Sequence, residues 1–102
     1  MTNDQLTAIL AERVMGWAVG PERFLMGNRE WTPRWRFQPA DKLEDAFRLL
    51  AEAKPQHYCI CGDDKGNIHV QVRINGSAGE ARGTSTPSVI AHAVARAFGI
   101  EV

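Results

Sequence analysis

The side chains in this sequence that could carry acid–base, nucleophilic or metal chemistry are three histidines and two cysteines. They are His57, Cys59, Cys61, His69 and His92. A catalytic histidine needs a partner at triad-like spacing, and a structural zinc ion needs four ligands. None of the histidines has such a partner, and the sequence contains no Walker loop, HExxH or GxSxG motif. We therefore expect a protein that is not an enzyme, with no cofactor and no metal site.

The two cysteines are separated by Ile60 and would share one face of a strand. A disulfide between such close neighbours is strained, and two thiols cannot complete a zinc site. We interpret both as small buried hydrophobic residues in a reducing cytoplasm. The alternative is a partial metal site that includes His57.

Cationic and hydroxyl side chains near the C-terminus point instead to the binding of an anion. Segment 76–86, GSAGEARGTST, is predicted to be a glycine-rich loop that leads into a helix, and a helix N-terminus favours anions. His92 and Arg96 are four residues apart and share one face of that helix. The candidate ligand-binding residues are Arg73, Asn75, Arg82, Thr84, His92 and Arg96, with Trp35 or Phe37 stacking on a base. The competing interpretation is that His92 and Arg96 line an oligomer interface or face water.

Three helices are predicted to position these residues. The first spans residues 2–17, begins with a capping box of Thr2 and Gln5, and ends at Gly16, after which Trp17 folds back on the apolar stripe. The third begins with Thr86 as N-cap and Pro87 at its first position, and it ends at Gly99.

The second helix is predicted within residues 39–54, with Asp41 as N-cap and Glu44 at the reciprocal position of a capping box. Asp45 is expected to face solvent, and Pro55 to stop the helix. The expected apolar stripe is Leu43, Ala46, Phe47, Leu50 and Ala53.

Strands are predicted in two places. Residues 56–62 and 67–75 are predicted to form two strands of an antiparallel hairpin. Residues 67–75 alternate between apolar and polar side chains, which indicates one buried face and one partly polar face. Its turn carries Asp63 and Asp64, an acidic pair that is either solvated or bound to a divalent ion. A further strand is expected over residues 34–37, with Trp35 and Phe37 on one face. The arginines among these aromatic residues fit either nucleotide stacking or a strand with a solvated outer face.

Length and composition bound the protein class. The 102 residues suit a single domain, 1–102. Twelve basic and twelve acidic residues give a formal net charge of zero, which argues against a nucleic acid polymer as partner. No apolar run approaches the roughly 20 residues of a membrane span, and no secretory signal is expected. The element order α-β-α-β-β-α predicts an α+β fold with a small antiparallel sheet covered by helices.

Three pieces of the chain, taken in order, resemble the phage ABA sandwich domain family of small tailed-phage and prophage proteins. The first is a helix ending in Met15-Gly16-Trp17, and the second is an aromatic segment ending in Phe37-Gln38-Pro39 before a helix. The third is a turn from Thr84 to Pro87 into an alanine-rich helix that ends in Phe98-Gly99-Ile100-Glu101. The resemblance spans nearly the whole chain and implies an α-β-α sandwich.

The resemblance also implies a function. The family is related to phage anti-defence sponges, which sequester the cyclic nucleotide signals of host systems such as Thoeris and CBASS without cleaving them. It implies a homo-oligomer, a dimer or hexamer, in the cytoplasm of the infected bacterial host. The alternative is a small phage protein that acts by contact with a host or phage protein and has no small-molecule ligand. Trp31, Trp35 and Phe24 would then form an exposed patch.

Overall fold

Residues 2–101, which this computed structural model describes, form three α-helices, six strands and one 3₁₀ turn. The helices are α1 (Asn3–Arg13), α2 (Leu43–Ala53) and α3 (Thr86–Ala97), and the 3₁₀ turn is Arg34–Arg36. The strands are β1 (Ala18–Val19), β2 (Arg23–Leu25), β3 (Trp31–Pro33), β4 (His57–Gly62), β5 (Ile68–Ile74) and β6 (Ser77–Gly83). The predicted α+β class is confirmed, with the strands divided between two antiparallel sheets, β1-β2-β3 and β4-β5-β6.

The predicted capping box of α1 is present. The Thr2 hydroxyl accepts a hydrogen bond from the Gln5 backbone N–H, and the Gln5 side chain accepts one from the Thr2 N–H. The helix ends at Arg13, and Gly16 adopts a positive φ of 72° that reverses the chain. Trp17 then folds back as predicted. Its backbone N–H donates a hydrogen bond to the Ala11 carbonyl, and its ring is buried in the core.

Phe24 of the small sheet β1-β2-β3 is buried in an aromatic cluster, so it does not join the exposed patch that was expected with Trp31 and Trp35. Trp17, Phe24 and Phe37 pack with ring centroids 5.0 to 6.2 Å apart. The predicted strand over residues 34–37 is wrong, since the Phe37 N–H donates to the Arg34 carbonyl and closes a 3₁₀ turn. Trp35 and Phe37 therefore do not share a face: Phe37 is fully buried, whereas Trp35 is 59% exposed.

The start of α2 differs from its prediction. Asp41 does not cap the helix; the N-cap is Lys42, which makes no side-chain capping bond. Asp45, expected in solvent, is buried and accepts a hydrogen bond from the Gln38 backbone N–H at 2.9 Å. This bond ties the preceding loop to the first turn and replaces the predicted capping box.

The buried stripe of α2 is rotated relative to the predicted one. Leu43 and Phe47 are each nearly half exposed, and Leu49 takes their place in the core. The two stripes share Ala46, Leu50 and Ala53, so the buried side is turned by roughly 60°, which is less than the about 100° between successive residues. The buried residues of the helix are Asp45, Ala46, Leu49, Leu50 and Ala53.

The predicted hairpin is confirmed as β4 and β5, and a third strand that was not predicted extends it. β5 connects to β6 through Asn75 and Gly76, both with positive φ, as in a two-residue type I′ turn. The prediction of a loop over residues 76–86 is therefore wrong for residues 77–83, which pair with β5 along their whole length. Small residues at alternate positions make this strand look like a loop.

Those small residues let α3 lie close to the sheet. α3 packs across β5 and β6, and α2 packs against α3. A Cβ atom added to Gly79 would lie 2.1 Å from the Ala93 carbonyl oxygen and 2.5 Å from the Ala97 nitrogen. Backbone atoms cannot yield by that much, so only glycine fits there. The side chains of β5 and β6 that face α3, here called the inner face, are Ile68, Val70, Val72, Ile74, Ala81 and the glycines Gly79 and Gly83.

The opposite side of the same sheet, here called the outer face, carries the polar residues. Its members are His57, Cys59, Cys61, His69, Gln71, Arg73, Ala78, Glu80 and Arg82. The expectation that both cysteines are buried is wrong, because they lie on this face: Cys59 is partly exposed and Cys61 is exposed. Within residues 2–101, no helix is long and apolar enough to cross a membrane.

Candidate functional site: the cavity at the start of α3

A cavity of about 300 Å³ lies where β6 leads into α3, and it gathers four of the predicted ligand-binding residues. These are Arg82, Thr84, His92 and Arg96. The other lining residues are Ala81, Gly83, Ser85, Ser88 and Val89. Arg96, His92 and three residues with hydroxyl groups therefore line one space with Arg82, whose guanidinium lies 3.5 Å from the Glu80 carboxylate on the outer face. Every lining residue is neutral or basic. We call this space the α3 cavity.

Arg96 is held in place by the sheet. Its Nη1 donates a hydrogen bond to the Glu80 backbone carbonyl at 2.6 Å, which joins the last turn of α3 to the middle of β6. A guanidinium has five N–H donors in a fixed plane, so this bond orients the remaining donors without using them. The side chain loses less freedom on binding a ligand than an unattached arginine does.

His92 is oriented by its own helix. Its Nδ1 lies 2.7 Å from the Ser88 carbonyl oxygen, one turn earlier. A carbonyl can only accept, so Nδ1 carries the proton in the neutral ring. Nε2 is then an acceptor when the ring is neutral and a donor when it is protonated. In the first state it suits a ribose hydroxyl, and in the second a phosphate oxygen.

The first turn of α3 completes the site. Ser85 is the N-cap, and within the described chain its side chain makes no capping hydrogen bond. Its hydroxyl is therefore not committed to the helix, and the predicted cap Thr86 is instead the first helical residue. The N-terminal N–H groups of a helix favour an anion, and Arg96 adds a full positive charge, whereas the charge of Arg82 is partly balanced by the Glu80 carboxylate 3.5 Å away.

The other predicted ligand-binding residues lie elsewhere. Arg73 pairs with Ala78, about 13 Å along the sheet from Arg82, and Asn75 forms the β5–β6 turn. Arg73 and Asn75 were expected to join the site because segment 76–86 was predicted to be a glycine-rich loop. Because residues 77–83 form a strand, Arg73 and Asn75 lie at the opposite end of the sheet from Arg82. Phe37 is buried in the aromatic cluster and cannot stack on a ligand.

Trp35 is exposed but stands on the 3₁₀ turn, outside the α3 cavity. The guanidinium of Arg36 lies 5.2 Å from its ring centroid. Its aromatic face is thus in contact with an arginine of its own turn.

Glu80 and Ser88 were missed by the sequence analysis. Ser88 lies four residues before His92, a spacing that places the two on one helix face and could have indicated the contact. Glu80 could have been found only with β6 recognised as a strand, since its carbonyl serves Arg96 and its carboxylate lies on the outer face. That carboxylate contacts His69 Nε2 at 2.5 Å and Arg82 at 3.5 Å. The hydrogen bond from His69 is the main cause that lowers the pKa of Glu80, and the charge of Arg82 adds to it.

A second cavity, of about 580 Å³, adjoins the first, and Arg82 and Gly83 line both. It runs past His69 to the β4–β5 turn. There the Asp63 carboxylate accepts hydrogen bonds from the Lys65 and Asn67 backbone N–H groups and from the Asn67 side chain. These bonds, the Asn67 side chain first, lower the pKa of Asp63. The two cavities are neighbours on either side of Arg82 and Gly83.

Comparison with known proteins gives a fold relation. No protein-family model matches the chain, and no curated protein matches it. The crystal structure of a phage protein from Bacillus cereus ATCC 14579 superposes with a TM-score of 0.80 at 15% sequence identity. The match covers 100% of this chain and 92% of that one. The chain therefore has the same fold as a phage protein of Bacillus cereus.

Proposed function

We propose that this chain is a phage anti-defence protein that binds and sequesters a cyclic nucleotide immune signal without cleaving it. The ligand is of the cyclic ADP-ribose type or a cyclic oligonucleotide. The protein acts as a homo-oligomer, a dimer or hexamer, in the cytoplasm of the infected bacterial host. The observation that supports the proposal is the α3 cavity, and the fold shared with a phage protein agrees with it.

The lining of the α3 cavity suits a phosphodiester. Arg82 and Arg96 supply charge-assisted donors, and the hydroxyls of Thr84 and Ser85 add neutral ones. A hydrogen bond to a charged group contributes roughly 1.5–3 kcal/mol, so loss of one arginine contact weakens binding by at least about tenfold. His92 Nε2 is placed for a ribose hydroxyl or a second phosphate oxygen.

The two neighbouring cavities together suit a cyclic ligand with more than one nucleotide unit. The α3 cavity, at about 300 Å³, lies at the lower limit of small-molecule sites. It accommodates one phosphate with its sugar. The adjoining cavity, at about 580 Å³, has room for a base or a second nucleotide, and Arg82 stands between the two.

We expect binding without cleavage because the lining residues of the α3 cavity include no carboxylate to act together with His92. General acid–base hydrolysis commonly uses a base and an acid that exchange protons with the reacting groups. In the α3 cavity the group that orients His92 is the backbone carbonyl of Ser88, which does not exchange protons. The hydroxyl nearest that imidazole, on Ser88, lies 3.4 Å from the same Nδ1 rather than from a free acceptor nitrogen. We therefore expect the ligand to leave the protein intact.

The test is titration calorimetry with cyclic dinucleotides, cyclic trinucleotides and cyclic ADP-ribose isomers, followed by heat release and mass analysis of the ligand. We expect tight binding of one class and recovery of the unchanged ligand. The double variant His92→Ala with Arg96→Ala should lose at least about tenfold in affinity while circular dichroism stays the same. Arg73→Ala is the control, because it also removes a guanidinium group but from the outer face of β5, outside the α3 cavity. Equal losses in the two variants, or a cleaved ligand, would contradict the proposal.

A second candidate function rests on the exposed tryptophans. Trp31 is 50% and Trp35 59% exposed, and a cavity of about 580 Å³ beside Trp31 is lined also by Pro21, Arg23 and Pro33. Exposed tryptophan and arginine are typical of protein–protein contact sites. A titration in which no cyclic nucleotide binds would favour this candidate, a phage protein that acts on a host or phage protein through the tryptophan surface.

A further inference from the structure

Cys59 and Cys61 form a pair of thiols that no part of the proposed function uses. Both project from the outer face of β4, and their sulfur atoms are 3.1 Å apart. Cys61 is exposed, Cys59 is partly exposed, and Cys61 also lines the 580 Å³ cavity beside His69. Two accessible sulfurs at this separation can act on one centre together.

We propose that Cys59 and Cys61 are a chelating dithiol that binds one thiophilic metalloid centre, of the trivalent arsenic class, through both sulfurs. The chemistry requires no oxidant. A monosubstituted arsenic oxide gives up its oxygen as water while two arsenic–sulfur bonds form and each thiol loses its hydrogen. The arsenic stays trivalent, so the reaction is a substitution and not a redox step.

The strand geometry favours chelation over a disulfide. Alternate residues of an extended strand have Cα atoms about 6.7 Å apart, at the upper end of the roughly 4.4–6.8 Å range of disulfides. β4 is paired with β5 through both cysteines, Cys59 with Gln71 and Cys61 with His69. Shortening the strand to close a disulfide would strain that ladder. An atom held between the two sulfurs allows them to stay apart, so β4 keeps its backbone.

The number of available ligands fits a centre that needs only two thiols. Among residues 2–101, no group of three or more His, Cys, Asp or Glu side chains is placed to hold a metal ion. His69, directly across from Cys61, has its Nε2 bound to Glu80 at 2.5 Å. A four-coordinate ion such as zinc would lack ligands here, whereas a trivalent arsenical is satisfied by two sulfurs.

A hydrogen bond joins the two thiols. The hydrogen bond with Cys61, together with the negative charge that Cys61 carries when ionised, raises the pKa of Cys59. Attack by either sulfur places the centre next to the other sulfur, 3.1 Å away, which closes the second bond at high effective concentration.

The probe for the test is phenylarsine oxide, added to the full chain with both thiols reduced. The wild-type protein should gain the mass of one phenylarsenic group less two hydrogens, and its titratable thiols should fall from two to none. A small dithiol in excess should restore both thiols. Cys59→Ser and Cys61→Ser should each lose at least about a hundredfold in affinity, because a single thiol has no chelate effect.

His57→Ala is the matched control, since His57 lies on the same face of β4 next to Cys59 and should not alter binding. Circular dichroism of all variants confirms that each is folded. Single-cysteine variants that bind as tightly as the wild type would overturn the proposal. So would a wild-type protein that retains two free thiols in the presence of the arsenical.

Discussion

The two faces of the sheet β4-β5-β6 are built from alternate residues of the same strands and have opposite character. On the inner face, Val70, Val72, Gly79 and Ala81 are buried against helices. On the outer face, the intervening positions are polar and mostly exposed. Packing decides the identity of the inner residues almost completely, and that leaves the outer residues free to carry charge and reactive groups. Paired substitutions, one on each face, measure how far the two faces differ in their contribution to stability.

The largest effect is expected from Gly79→Ala. Its Cβ would overlap the backbone of α3, which cannot shift without losing contact with β5 and β6. We expect a loss of about 3 kcal/mol in the free energy of unfolding, at the upper end of overpacking effects. Ala78→Val, one residue earlier on the outer face, adds more atoms and should change stability by less than about 0.5 kcal/mol. Urea denaturation measures both, and similar losses would show that the faces do not differ in packing.

A smaller effect is expected from removing inner-face atoms. Val70→Ala deletes two fully buried methyl groups and should cost about 2 kcal/mol, counting lost transfer energy and the cavity left behind. Gln71→Ala, the next residue on the exposed side, should stay within about 0.5 kcal/mol of the wild type. Thermal and urea unfolding of the pair give the comparison. A Val70 variant as stable as the Gln71 variant would mean that the inner face has room to collapse.

The smallest effect is electrostatic and confined to the outer face. Because the folded pKa of Glu80 is lowered, chiefly by His69, its ionised form stabilises the fold above the unfolded pKa. That stabilisation is lost as the pH falls through the folded pKa. Carboxyl-carbon NMR titration should place the midpoint of Glu80 below the usual glutamate value. His69→Ala should raise it more than Arg82→Ala does, and the reverse order would assign the shift to charge instead of the hydrogen bond.

The sequence predicted best where one pattern dominated. The alternation in residues 67–75 identified β5 and its buried side, and the capping box at Thr2 located the start of α1. The cationic side of the α3 cavity was also predictable, because His92 and Arg96 are four residues apart and helical spacing places them on one face. Thr84 lies in the segment that leads into the same helix.

The wrong predictions share a physical cause, which is that tertiary contacts override local composition. β6 looked like a loop because α3 lies so close that positions 79, 81 and 83 must be small. The two-residue turn at Asn75 and Gly76 was the signal that could have shown the strand. Asp45 was misplaced because its partner, the Gln38 backbone N–H, lies in a loop whose path local periodicity does not reveal.

The cysteines were misplaced for a related reason. The prediction that Cys59 and Cys61 lie on one face of a strand is confirmed. Which face the helices cover depends on the sheet as a whole, and a cysteine is small and apolar enough to suit either side. The same ambiguity did not arise for Val70 and Val72, whose neighbours on β5 are plainly polar.

The tight turn at Asn75 and Gly76 limits how this fold can change in length. Adding or removing one residue there would slip β6 against β5 and exchange its two sides. Glu80 and Arg82 would then face α3, and Gly79 would face solvent. The β4–β5 turn has no such coupling to α3. Proteins of this fold are therefore expected to gain and lose residues between β4 and β5 while keeping the spacing between β5 and β6 fixed.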